Sequence, residues 1–129
     1  MLDGRLPTVL IVDDERDVRD WLRLSLALRG WVASTAATGD EAVASAVAPE
    51  PDLVIVDFAL PGMNGLECAK ALRRQGVGGS IILFSAFIDA KRTAAAERLD
   101  VQPISKVDQP ALFRTVDALQ QQLLEGAAV

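Results

Sequence analysis

The chain has 129 residues, half of them apolar, which suffices to bury a sizeable core and reads as one domain spanning residues 1–129. Thirteen basic against 18 acidic side chains leave a net charge of −5, which argues against direct nucleic-acid binding because a phosphate backbone attracts a basic face. No apolar run approaches the roughly 20 residues of a bilayer span, and residues 1–7 lack the apolar core of a signal peptide, so no membrane contact and a cytoplasmic location are expected. The chain has no histidine, which excludes Ser-His-Asp and Cys-His catalysis, the common zinc sites and a phosphohistidine of its own. Any phosphoryl donor must then be another molecule. The lone cysteine, Cys68, cannot form an internal disulfide and reads as a free thiol on a helix.

In chain order, short apolar runs alternate with amphipathic stretches. The run Val9 to Val12 is the first strand, followed by Asp13 and Asp14 near the N-cap of a helix over about residues 15–29, with Gly30 placed to end it. Trp31 to Thr35 is a weaker, mixed strand. A second helix over about residues 40–48 has Thr38 and Glu41 at capping-box spacing, and Pro49 and Pro51 stop it. Leu53 to Val56 is a buried strand ending at Asp57. The loop Leu60 to Gly65 leads to a third helix that begins at Asn64, with Glu67 three residues on and Gly76 after its end. Gly76, Gly78 and Gly79 lie between a helix and a strand, the reverse of a dinucleotide loop, and so form a turn. Ile81 to Phe84 ends at Ser85, a fourth helix starts after Asp89, and Val101 to Ser105 precedes Lys106. The fifth helix starts after Asp108, with Pro110 in its first turn, and runs to about Leu124.

Five strands alternating with five helices predict an α/β fold of three layers: a doubly wound five-stranded parallel sheet. Strands buried on both faces read as continuous apolar runs, whereas the mixed second strand and the fifth, with Pro103, suit edges. Right-handed crossovers then give the order 2-1-3-4-5. Ligands bind such sheets beyond the strand C-termini where the chain direction reverses, and Asp13, Asp14 and Asp57 fall there.

Each of these residues alone has a plain explanation: helix caps for Asp13 and Asp14, a solvated strand-end acid for Asp57, a strand-end hydroxyl for Ser85, a surface charge for Lys106. Together they are harder to dismiss. Two carboxylates about 4 Å apart repel by roughly 1 kcal/mol in water and roughly 4 at an effective dielectric of 20, against a whole-domain stability of about 5 to 15 kcal/mol. A cation is therefore expected. Oxygen-only ligands without histidine or thiolate point to Mg²⁺, with Mn²⁺ able to substitute.

The segments Val9 to Glu15 (VLIVDDE), Leu53 to Gly65 (LVIVDFALPGMNG), Ile81 to Ala86 (IILFSA) and Lys106 resemble the motif set of response-regulator receiver domains, over essentially the whole chain. The resemblance implies that Asp57 is the phosphoacceptor, that Asp14 binds Mg²⁺ directly and Asp13 through water, and that the Ala59 carbonyl adds a metal oxygen. Ser85 would hydrogen-bond the phosphoryl group and Lys106 would pair with it. The implied donor is a phosphohistidine on a histidine kinase or histidine phosphotransfer protein. The implied readers are an output domain or effector protein, with a surface of helix four, strand five and helix five through which a homodimer could form. Such a domain acts on itself and turns over no free substrate. The chain is either a stand-alone receiver or one cut from a longer protein, and no DNA-binding segment is expected in it.

Three positions depart from the family pattern. Receivers commonly place a switch aromatic three residues before the lysine, where this chain has Pro103, so coupling of Ser85 to that position is in question. Receivers commonly have a proline after the lysine, often in cis; here Val107 follows, and a trans bond is expected because a non-proline cis bond costs about 3 to 4 kcal/mol. Phe87, two residues past Ser85, is expected to slow water entry and lengthen the phosphorylated lifetime. Pro103 and Val107 keep open an alternative, a receiver-like protein-binding module with impaired or phosphorylation-independent switching. A metal-dependent phosphatase is the third class, disfavoured because Phe58 and Ala59 follow Asp57 with no second acid.

Overall fold

The computed structural model describes residues 4–128, with side chains through residue 126. Strands β1 (Thr8–Val12), β2 (Val32–Ala36), β3 (Leu53–Val56), β4 (Ser80–Ser85) and β5 (Val101–Ser105) alternate with helices α1 (Arg16–Leu28), α2 (Gly39–Ser45), α3 (Gly65–Arg74), α4 (Ala90–Arg98) and α5 (Gln109–Ala128). The strands form one parallel sheet in the order β2-β1-β3-β4-β5, so the two strands expected at the edges lie there. None of the helices among the described residues is long and apolar enough to cross a membrane.

The two-residue period of the strands sorts the core into two halves. Leu10, Val12, Val54, Val56, Ile81 and Leu83 pack with Ala42, Cys68, Leu72 and Ala96 from α2, α3 and α4. Val9, Ile11, Leu53, Ile55, Ile82 and Phe84 pack with Leu22 and Leu26 of α1 and Leu112 and Val116 of α5. Both faces of the central strands are thus covered, as their unbroken apolar sequences require. On the α1/α5 side, Trp21 and Phe113 meet edge to face with ring centroids 5.7 Å apart.

Helix ends follow the expected chemistry with three differences. Asn64 and Glu67 close a full capping box, and Thr38 and Asp89 accept from the backbone of Glu41 and Arg92. The N-cap of α1, however, is Glu15 rather than Asp13 or Asp14, and its side chain caps nothing. The Asp13 carboxylate instead accepts from the Glu15 N–H at 2.9 Å, a local turn that pins Asp13 and leaves Asp14 exposed. Helix α2 ends at Ser45, short of residue 48, because the residue before Pro49 is driven out of the helical region. Helix α5 continues past residue 124 to Ala128, since no proline intervenes.

At the end of the sheet opposite the acidic rim, the Asp52 carboxylate accepts from the Thr8 N–H at 2.8 Å and from the Arg5 guanidinium at 2.8 and 3.0 Å, joining the starts of β1 and β3. Burial works to raise the Asp52 carboxyl, but the bonds from Arg5 and Thr8 outweigh it and hold the group below the ordinary carboxylate range. A folded value below the unfolded one stabilises the fold fully at neutral pH, and that contribution is lost as the pH falls through the folded value. Asp52→Asn is expected to cost about 1 to 3 kcal/mol at pH 7. It should also flatten the loss of stability between about pH 5 and pH 3, read from urea titrations across that range.

Candidate functional site

The polar rim is built by the sheet's own hydrogen-bond ladder, which runs one residue past the strands. The Asp13 N–H donates to the Ala36 carbonyl at 3.1 Å, the Asp57 N–H to Val12 at 2.9 Å and the Lys106 N–H to Ser85 at 2.9 Å. Each functional side chain thereby starts from a backbone position as fixed as the strands themselves. Asp13, Asp57 and Ser85 are buried, at 2, 5 and 3 % exposure. Asp13, Asp14 and Asp57 each offer a carboxylate oxygen within 4.8 Å of the others. The Lys106 ammonium lies 2.8 Å from Asp13 and 3.3 Å from Asp57.

Three carboxylates against one ammonium leave the cluster net acidic. Burial pushes the Asp57 carboxyl above the ordinary range, the Asp13 charge adds to the push, and Lys106 opposes it without winning. Burial alone would lower Lys106, but the bond and charge of Asp13, then those of Asp57, raise it, so the ammonium stays charged. The donor set is oxygen-only, since the buried Cys68 thiol is pushed up to about 11 by burial and by Asp40 and stays protonated. Such a set fits a small hard divalent cation that retains water on its remaining positions.

Ala59 is exposed in the loop two residues past Asp57. Pro103 stands apart from the rim: it pairs with Leu83, two register positions below the Ser85–Ser105 pair. The Lys106–Val107 bond is trans, the cis bond among the described residues being Ala48–Pro49. Three supporting residues escaped the sequence reading. Arg19 of α1 donates to the Asp13 carbonyl at 2.8 Å, from a position that looks like any surface arginine. Gly65, read as part of a turn, admits no side chain because a Cβ there would lie 2.1 Å from the Asp57 carbonyl oxygen. Arg92 of α4 sits over the Phe58 ring, 3.7 Å from its centroid, a pairing no local pattern announces.

Residues 9–116 match the family described as the response regulator receiver domain. Among curated relatives, the chain is 36 % identical over 78 residues to the alkaline phosphatase synthesis transcriptional regulatory protein PhoP of Bacillus subtilis, covering 60 % of this chain and 32 % of PhoP. The chain spans about a third of the length of such relatives. Among solved structures, TrrA of Thermotoga maritima in complex with Mg²⁺-BeF superposes with a TM-score of 0.78 at 30 % identity, over 88 % of this chain and 99 % of that one. The chemotaxis protein CheY4 of Vibrio cholerae gives 0.79 at 26 % identity, over 88 % of this chain and 98 % of that one.

Because the fold disfavours the ionised Asp57, neutralising it should stabilise the cation-free protein. Asp57→Asn is expected to raise stability at neutral pH without divalent cations by about 1 kcal/mol. Millimolar Mg²⁺ should narrow the gap by stabilising the unsubstituted protein more than the variant, as thermal melts with and without the ion would report.

Proposed function

The chain belongs to the response regulator receiver domain family, and from that premise we propose that it accepts a phosphoryl group on Asp57 and relays the modification through its surface. The observation that carries this reading is a buried Asp57 ringed by Asp13, Asp14 and Lys106 at the sheet's mouth. The donor is a phosphohistidine on a histidine kinase or phosphotransfer protein. An Asp57 carboxylate oxygen attacks the phosphorus as the P–N bond breaks and the imidazole leaves; later, water attacks the same phosphorus and regenerates the carboxylate.

Asp14, Asp13, Asp57 and the Ala59 carbonyl would hold Mg²⁺, with Mn²⁺ as a substitute. The bound ion supplies charge neutralisation for the transferring phosphoryl oxygens. The chain's own residues do the rest. Lys106, held charged by two carboxylates, is within reach of the oxygens that Asp57 would carry, and Asp13 keeps the ammonium oriented. Ser85, at the end of β4, is the hydroxyl that would turn toward the new dianion. The chemistry is self-directed, with no free substrate turned over. In this reading the chain works in the cytoplasm, delivering its signal to an output domain, an effector or a second copy through α4, β5 and α5.

Pro103 favours a second reading, a protein-binding module that no longer switches, because the inward-swinging aromatic of other receivers is missing there. Incubation with acetyl phosphate and Mg²⁺ separates the two. One phosphoryl mass gained by the intact chain and absent from Asp57→Asn supports the phosphoacceptor. No gain leaves the binding module, and repeated turnover would point to a phosphatase. Lys106→Ala should slow the gain by about a hundredfold, on the scale of losing one electrostatic stabiliser of a transition state.

A further inference from the structure

Helix α4 is lightly attached to the body: of its residues Ala96 alone is buried. Its C-terminal end is stapled by Arg73 of α3, which donates from Nε to the Leu99 carbonyl at 2.9 Å and from Nη2 to Asp100 at 2.7 Å, while Nη1 takes the carbonyls of Val77 and Gly79. At the N-terminal end Asp89 caps the helix and Arg92 reaches back to the loop before it. The Arg92 guanidinium lies 3.7 Å from the Phe58 ring centroid and 5.1 Å from that of Phe87, and Nη1 donates to the Phe87 carbonyl at 2.8 Å. Phe87 itself remains 60 % exposed, so burial of its ring does not hold this loop in place.

The two partners of Arg92 both lead back to the site. Phe58 directly follows Asp57, and its carbonyl accepts from the N–H groups of Leu60 and Gly65. Its ring orientation is thus tied to backbone that touches the phosphoacceptor. Phe87 is two residues beyond Ser85, so any movement of Ser85 toward Asp57 drags the carbonyl that Arg92 holds. Pro103 stands where an aromatic would otherwise link the site to β5, whereas one connection between Asp57 and α4 runs along the backbone to Phe58 and from its ring to Arg92.

Building on the phosphoacceptor reading, we propose that Arg92 is a positioning residue that latches the loop after β4 and the first turn of α4 in the unmodified arrangement, so that phosphorylation of Asp57 must work against this clamp. A contact made in one state only shifts the equilibrium by its differential strength, and loss of the latch favours the modified state. Removing it should therefore tighten binding of a phosphoryl mimic.

The test uses the full chain with Mg²⁺ and beryllofluoride, comparing the unsubstituted protein with Arg92→Gln, Phe58→Leu and the double variant. Each single variant is expected to bind beryllofluoride about three- to tenfold more tightly, the range one cation–π contact can supply. Without ligand, the amide resonances of residues 90–93 should already be displaced toward their beryllofluoride-bound positions, and the double variant should bind no more tightly than the stronger single one. Either single variant is decisive if the other does not fold. Affinity that is unchanged or weaker, unmoved amides, or fully additive effects would overturn the latch. If the unsubstituted chain takes neither beryllofluoride nor a phosphoryl group, the phosphoacceptor reading itself fails, and the latch with it.

Discussion

Repulsion among carboxylates at the mouth of a parallel sheet is the constraint around which the structure is arranged. Asp13, Asp14 and Asp57 would not gather within 4.8 Å of one another on electrostatic grounds alone. They are brought together because each follows a strand whose burial and ladder bonds decide where the backbone goes, and the apolar strands outweigh the local charge. The single ammonium of Lys106, carried in from β5 at the far side of the sheet, offsets part of the repulsion and keeps the remainder available for a divalent cation.

The rest of the fold compensates at a distance. At the opposite end of the sheet the charges are paired rather than crowded: Asp52 with Arg5 and Thr8, and Arg73 with four carbonyls. Those networks bind the starts of the strands and the C-terminal turns of α3 and α4, so the end that carries the chemistry can be strained without the sheet losing register. The two cores divide the helices accordingly. Leu22, Leu26, Leu112 and Val116 anchor α1 and α5 with branched aliphatic side chains, while α4 meets its core through a single alanine. Helix α4 can thus shift at small cost in buried apolar area, as can α2, whose buried residues are Gly39 and Ala42.

This asymmetry gives membership in the receiver family a physical content beyond motif matching. A phosphoryl group on a buried aspartate changes charge locally, and that change becomes a signal only if some element is poised between two arrangements. In this chain α4 is held at its C-terminal end by Arg73 and at its N-terminal end by Arg92, whose guanidinium lies over the ring of the residue that follows Asp57.

Much of this was legible in the residues taken one after another. Continuous apolar runs marked the central strands, Pro103 marked an edge, and capping patterns at Thr38, Asn64 and Asp89 marked helix starts, because these signals act within a few residues of chain. The acidic pair, Asp57, Ser85 and Lys106 were legible as strand-end residues, since an α/β sheet of given order carries its C-terminal ends to one rim. The α1 cap was misjudged, for two adjacent aspartates compete for one helix end and only the fold decides which turns into the site. Arg19, Arg92 and the closeness of Gly65 to Asp57 could not be read locally. Their partners are brought near by crossovers, and nothing in the spacing of an arginine on a helix says whose carbonyl or ring it will find. Strand order and the rim's chemistry were thus written in the sequence, whereas the contacts that orient Asp13 and tie α4 to the residue after Asp57 were decided by tertiary packing, which alone sets distances between side chains remote along the chain.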